Sequence, residues 1–266
     1  MRRVASELSR LLWVARIVSD PASFRNFRRA ERGRFGPVGE PMPVRIRQLG
    51  GDEVLLRPGA SDAQMTLETF RNLPHDPPPD VAARGIRHVV DLGANIGITV
   101  AHNAFRFRDA RLLAVELDPA NTELCRRNVA QWRDRVDILQ GAVWVEDGEV
   151  EFVREPGMEY GFYVSPGHTG ADRTRAYSMD TILGHLSDGA PIDWMKMDVE
   201  GVEPRLLSGP SASWAERVRA IGVQVHGDYT LEHCAADLRA LGFEIRRFDR
   251  VNAYVKAARP GHVTPS

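Results

Sequence analysis

From residue 80 onward, short apolar runs alternate with stretches of helical periodicity, and this alternation restricts the chain more than any other feature. RHVVDLG, RLLAVELDP, VDILQGAVW, PIDWMKMDVEG and RAIGVQVHG are apolar on both faces. Ile98 to Phe107, ANTELCRRNVAQW, EPRLLSG and TLEHCAADLRALG carry helical spacing between or after them. Strands buried on both faces and separated by helices make a parallel, doubly wound α/β sheet. FEIRRFDR and NAYVKAA are separated only by Asp249 to Asn252. That link is too short for a parallel crossover, so an antiparallel strand is expected at the sheet's end. The stretch from Glu146 to Pro191 breaks the alternation, with EVEFV, GFYVS and TRAYSMD as extra strands. An insertion between consecutive units covers the ligand crevice if it falls at the carboxyl edge of the sheet.

Upstream, Val4, Leu8, Leu11, Ala15 and Val18 fall at helical spacing and predict one amphipathic helix. Prolines and glycines between Gly33 and Pro43 break the chain after it. VRIRQL and EVLLRP predict a hairpin turning at GGD, DAQMTLETFRNL a helix, and Pro74 to Pro79 a stiff linker. The expected organisation is 1–79 as helix, linker, hairpin and helix, serving as a cap or an oligomerisation element. Residues 80–258 are the principal domain, with the insertion near 146–191, and 259–266 are a tail.

Charge argues against nucleic acid. Lys+Arg is 35 against 36 for Asp+Glu, a net of −1, whereas a protein that neutralises phosphates carries a basic excess. The distribution is uneven: residues 1–50 hold eleven arginines and four acids, a local net of +7. No block reaches the density of a basic patch motif, so this arm is expected to pack on the acidic remainder or on a sister subunit. Only Lys196 and Lys256 are lysine; the arginine bias suggests no mechanism. No apolar run approaches the roughly 18 residues of a membrane span. The opening residues are too interrupted for a signal peptide, and two cysteines suit a reducing compartment. A cytoplasmic protein is expected.

The chemistry starts at VVDLGANIG, residues 89–97, a strand running into a glycine turn and then a helix. Gly93 permits the turn, Gly97 permits close helix packing, and N–H groups at the helix start face a ligand. Glu116 follows at the end of the next strand, where an acid accepts both hydroxyls of a ribose. Asn95 stands where a dinucleotide fold has its second glycine, and Asp91 adds a carboxylate that repels pyrophosphate but suits a sulfonium or ammonium. S-adenosylmethionine (SAM) has the ribose, the adenine and both cations.

Taken together, these residues resemble the FkbM-type SAM-dependent methyltransferases. Asp91–Gly97 matches the family's SAM loop, and Glu116 its ribose acid. WMKMDVEGVEPRLLSG, residues 194–209, is similar to the family signature, with matches at Lys196, Asp198, Glu200, Gly201 and Glu203. GAVW at 141–144 resembles the segment that brackets adenine, and RPGASDAQMTLETF at 57–70 an upstream Gly-x-x-Asp element. The resemblance spans about residues 55–257. It implies a Rossmann-like, seven-stranded, mostly parallel sheet with helices on both faces and an antiparallel last strand. It also implies methyl transfer from SAM, most often to oxygen, on a natural product or sugar. Cofactor contacts are expected from Asp91, Gly93, Ala94, Asn95, Gly97, Glu116, Leu117, Ala142 and Asp198.

A hydroxyl acceptor must lose its proton to a base or to a metal. Asp198 and Glu200 end one predicted strand and His226 ends the next, so these three are the catalytic candidates. His226 is read either as the base or as a structural histidine held by a carboxylate. Glu203, before Pro204, reads as a helix-start acid. No dense carboxylate cluster demands a divalent metal; the reading without one is favoured, and with one the ligands are Asp198 and His226. Tyr160, Tyr163 and His168 in the insertion are acceptor-contact candidates, or fill a small hairpin core. The acceptor is expected to be a small molecule. Two alternatives stand beside the methyltransferase: a nicotinamide-dependent oxidoreductase, disfavoured by Asn95, and a non-catalytic SAM-fold subunit that assembles through its N-terminal helix.

Overall fold

The computed structural model describes residues 2–32, 36–154, 162–164, 172–186, 189–209 and 212–260, with the side chains of 2–6, 153–154 and 162–164 left out. The chain opens with α1 (Arg2–Ile17) and α2 (Pro21–Arg32), then the antiparallel hairpin β1 (Met42–Ile46) and β2 (Asp52–Leu56). Next come α3 (Asp62–Asn72) and the short α4 (Pro79–Ala82). The central part runs β3 (His88–Leu92), α5 (Ile98–Arg106), β4 (Arg111–Glu116), α6 (Pro119–Asn128) and β5 (Val136–Gln140). The region after it holds β6 (Ala142–Val143), β7 (Gly148–Arg154), β8 (Phe162–Val164), β9 (Asp172–Tyr177) and α7 (Met179–Leu186). The chain closes with β10 (Trp194–Met197), α8 (Glu203–Ser208), β11 (Ala220–Gln224), α9 (Leu231–Ala240), β12 (Glu244–Asp249) and β13 (Tyr254–Ala258).

The main sheet is the seven-stranded, Rossmann-like one, in the order β12-β13-β11-β10-β3-β4-β5. β11, β10, β3, β4 and β5 are parallel, and β13 is antiparallel to both its neighbours. The last strand of the chain is antiparallel, as expected, and lies second from the edge: the β12–β13 hairpin folds back so that β13 slots against β11. Alternate residues divide between two cores. Val89, Leu112 and Ala114 face α5, α6 and the N-terminal elements, while Val90, Leu113 and Val115 face α7, α8 and α9. Burial on both faces explains the continuous apolar runs.

The chain leaves β3 in one direction for β4 and β5, and in the other for β10 and β11. The order reverses between β3 and β10, and a crevice opens at the carboxyl ends of strands at such a point. β6 departs from the expected single strand VDILQGAVW: Gly141 ends the pairing with β4, and Ala142–Val143 joins a four-stranded sheet, β6-β9-β7-β8, formed by the insertion.

The N-terminal region differs from expectation in two ways. α2 was hidden in the sequence by its arginines, and the buried side of α1 is not the predicted stripe. Leu8 is exposed and Ala15 too, whereas Val14 and Ile17 are fully buried. The stripe shifts because α1 lies between α2 and α3 rather than on one flat surface. Phe27 and Ala30 of α2 join the same core as Val44 and Ile46 of the hairpin. Glu31 gathers both Arg10 and Arg28, so part of the basic arm is neutralised within itself. Asn128 ties the hairpin to the central sheet, accepting from Leu55 N (2.7 Å) and donating to Ile96 O (2.8 Å). Among the described residues no helix is long and apolar enough to cross a membrane.

Candidate active site

A cavity of about 630 Å³ occupies the crevice, within the size range of small-molecule sites. Its wall takes Gly93–Ile96 from the β3–α5 loop, Glu116 and Leu117 at the end of β4, Gly141–Val143 from the stretch after β5, and Lys196, Asp198, Glu200 and His226 from β10 and the loops after β10 and β11. The wall continues along α3 through Gln64, Glu68, Arg71 and Asn72, with His75 and residues 251–253.

The loop after β3 is shaped by local rules. Gly93 has φ 77° and lies so close to the next strand that a Cβ there would be 1.8 Å from the Asp198 carbonyl oxygen. Gly97 has φ 83°, and a Cβ there would be 2.7 Å from Cys125 Sγ on α6. Asn95, with φ 50°, fills a left-handed position that asparagine tolerates. Gly93 N and Ala94 N both donate to Val115 O at 3.0 Å, which pins the loop over β4.

Glu116 is 4% exposed. Its carboxylate accepts from Asn95 N (2.7 Å) and from Asp118 N (2.8 Å), one donor on each oxygen. A carboxylate oxygen has room for a second donor, so capacity for two hydroxyls remains. Burial pushes this carboxyl up to about 7, against the two backbone donors that favour its charged form.

Asp91 and Gly97 lie behind the wall rather than on it. Asp91 is 1% exposed, accepts from Thr99 Oγ1, and pairs with Lys196 Nζ at 2.9 Å. Lys196 also donates to Gly93 O at 2.6 Å and lies 3.6 Å from Asp198 Oδ2. Its charge stands between Asp91 and the cavity, and holds the glycine loop from beneath. The electrostatic role expected of Asp91 toward a ligand therefore passes first through Lys196.

The three catalytic candidates do converge. His226 Nε2 is 3.5 Å from Asp198 Oδ1 and 3.5 Å from Glu200 Oε2. His226 Nδ1 donates to Glu203 Oε1 at 2.7 Å. Glu203 is fully buried and also accepts from Val199 N (3.2 Å) and Gly201 N (2.8 Å). The residue read from sequence as a helix-start acid thus orients the histidine. Glu200 has φ 52°, followed by Gly201 at 98°, a turn that brings its side chain back to the crevice. Burial works against protonation of His226, but the Glu203 hydrogen bond and the charges of Asp198 and Glu200 outweigh it and raise the ring to about 9. Burial raises Glu200 to about 7, in spite of the nearby His226.

Sequence reasoning missed His75. It lies on the cavity wall, with Nδ1 3.2 Å from the hydroxyl of the buried Tyr254, and burial holds its ring well below the usual histidine range. Arg57 and Asp62 of the upstream element form a buried bidentate pair, 2.9 Å at both contacts, that packs the hairpin onto α3. Tyr160 and His168 lie outside the described residues, and Tyr163 is placed only by its backbone, in β8.

The methyltransferase FkbM domain matches residues 91–255 of this chain. The O-methyltransferase imqG of Aspergillus flavus is 31% identical over 78 residues, a match taking in 25% of this chain and 32% of that protein. Among solved structures, an O-methyltransferase family protein from Burkholderia thailandensis is similar at 12% identity and a TM-score of 0.45, over 76% of this chain and 60% of that one. The S-adenosylmethionine-dependent methyltransferase SibL is similar at 13% identity and a TM-score of 0.43, over 75% and 57%.

Proposed function

The chain belongs to the FkbM methyltransferase family, and on that premise we propose that it is a SAM-dependent O-methyltransferase of a small hydroxylated molecule, a natural product or a sugar. The observation that carries this reading is the adjacency of two unlike halves in one cavity. One half has the glycine loop and the buried Glu116; the other has Asp198, Glu200 and His226.

The residues fit the cofactor. Glu116 retains acceptor capacity toward a ribose, and Gly93, Ala94 and Asn95 leave the loop free of bulky side chains. Leu117, Ala142 and Val143 supply apolar surface to an adenine. Bound there, SAM supplies an electrophilic methyl carbon on its sulfonium sulfur. The protein's part is to hold an acceptor oxygen in line with that carbon, and such positioning accounts for several kcal/mol of acceleration. Asp198, adjoining the glycine loop at the switch point, lies at the junction of the two halves.

The acceptor must also lose a proton. The carboxylates around His226 raise its ring to about 9 and burial raises Glu200 to about 7, so on this reading Glu200 takes the proton when no ion is bound. His226 then stabilises the charge that Glu200 loses and regains. The two titrate as a coupled unit, with Glu203 fixing the ring. A site equipped to remove a proton favours hydroxyl over an acceptor that is already nucleophilic, which supports oxygen as the methylated atom.

The premise of family membership sets the oxidoreductase alternative aside. The non-catalytic subunit is an outcome of the test: incubation with methyl-labelled SAM and a panel of phenols, polyols and sugars, read by mass spectrometry. Label on a hydroxyl supports the reading. SAM binding with no product from any class, and no slow turnover of SAM itself, favours the subunit.

A further inference from the structure

We infer that Asp198, Glu200 and His226 form a divalent-cation site in which the acceptor oxygen completes the coordination. This rests on the proposed acceptor half of the cavity but not on methyl transfer itself.

Three features of the geometry carry it. First, one donor atom from each residue lies within 4.8 Å of the other two, a spacing that a single ion about 2.1–2.4 Å from each can bridge. Second, each side chain has the correct atom to spare. Asp198 directs Oδ2 toward Lys196 and Oδ1 toward His226 Nε2. His226 Nδ1 donates a hydrogen bond to Glu203, which fixes the ring and leaves Nε2 toward the two carboxylates. A carboxylate behind a histidine is the usual outer support of a metal-binding imidazole, and Glu203 is fully buried and fixed by two backbone N–H groups. Third, the three donors are open on the cavity side, at 22%, 31% and 20% side-chain exposure, while Glu203 is at 0%. Protein ligands thus occupy one side of an ion and leave the other for water and substrate.

Two carboxylate oxygens and one imidazole suit a hard or borderline divalent ion such as Mg²⁺ or Mn²⁺ better than a thiolate-seeking one. The ion takes the place of the proton on Nε2. An acceptor hydroxyl bound to it becomes more acidic, releases its proton to water in the open cavity, and keeps its lone pair aimed. With the ion in place, Glu200 is a ligand rather than the proton acceptor.

The test uses the full chain without SAM or acceptor, so its outcome is independent of methyl transfer. Mn²⁺ is titrated and followed by the electron paramagnetic resonance of the free ion. One site per chain is expected, with nitrogen modulation in the echo-envelope spectrum from His226. Asp198→Asn, Glu200→Gln and His226→Gln should each weaken binding at least tenfold, and His226→Gln should abolish the nitrogen signal. Glu203→Gln should weaken it by roughly 10–100-fold, as loss of an outer support does. Thermal unfolding of each variant shows that it is folded, and any one folded variant suffices. No wild-type binding below millimolar Mn²⁺, or binding that Asp198→Asn and His226→Gln leave unchanged, overturns the inference.

Discussion

The carbonyl oxygen of Asp198 occupies the place that a side chain at position 93 would need: a Cβ built on Gly93 falls 1.8 Å from it. The glycine loop and the polar cluster are therefore one construction. The end of β3 lies against the end of β10 because the two are paired parallel neighbours, and Lys196 joins them from below.

Lys196 is the first place to test that construction. Lys196→Met removes the partner of a carboxylate that is 1% exposed. Loss of one member of a buried pair typically costs about 3–5 kcal/mol. A large fall in the thermal midpoint is expected, and the double variant Asp91→Leu/Lys196→Met should recover part of it. A single variant as stable as wild type would show that the ammonium does not hold the loop.

Glu116 should make cofactor affinity depend on pH. Its carboxyl is raised from 4.5 to about 7 by burial, and ribose hydroxyls donate better to the charged form. SAM affinity should rise between pH 6 and 8 in calorimetric titrations. Glu116→Gln should flatten that dependence and weaken binding by about 1.5–3 kcal/mol, the scale of a lost charge-assisted hydrogen bond. The sign for stability is opposite. An acid raised by folding stabilises below its unfolded value, and that contribution is lost as pH rises toward 7.

His226 should titrate far from an ordinary histidine. The pull of Glu203, Asp198 and Glu200 outweighs burial and raises it from 6.5 to about 9. In the ion-free protein its stabilising contribution is complete below about 6.5 and lost as pH rises through 9. Nuclear magnetic resonance of the ring should follow that transition, and Glu203→Gln should move it back toward 6.5. A ring titrating at 6.5 in the wild type would mean that the cluster is not assembled in solution.

These residues also show how far the sequence was readable. The strands of the main sheet, the glycine turn and Glu116 were legible because each follows from local periodicity or from a turn that only certain residues can make. The approach of His226 to Asp198 and Glu200 was foreseen from strand ends alone. Glu203 stands at the start of α8 as expected, but its hydrogen bond to His226 was not legible, because position at a helix start says nothing about a side chain that turns back to a neighbouring strand. His75 was missed because it lies in a proline-rich link with no periodicity. The two lysines were a signal left unused. In a chain that otherwise uses arginine both are deeply buried, at 3% and 6% exposure, where a compact ammonium donates to backbone carbonyls. α2 escaped notice because its few apolar residues rely on α3 and β1 for their burial.

Deleting residues 1–32 should uncover Val44, Ile46 and Leu49, which α1 and α2 help to bury. The thermal midpoint should fall by several degrees or the protein should aggregate, since several fully buried side chains are lost at once. Unchanged stability with full SAM affinity would make this segment dispensable.

SAM binding in the crevice between β3 and β10 underlies the whole proposed chemistry. Calorimetric titration of the wild-type protein with SAM, beside NAD, tests it most directly, with Gly93→Val and Glu116→Gln as controls of checked fold. One SAM site per chain is expected, weakened in Glu116→Gln and absent in Gly93→Val, with no heat from NAD. Binding of NAD, or SAM binding of equal strength in all three proteins, would contradict it.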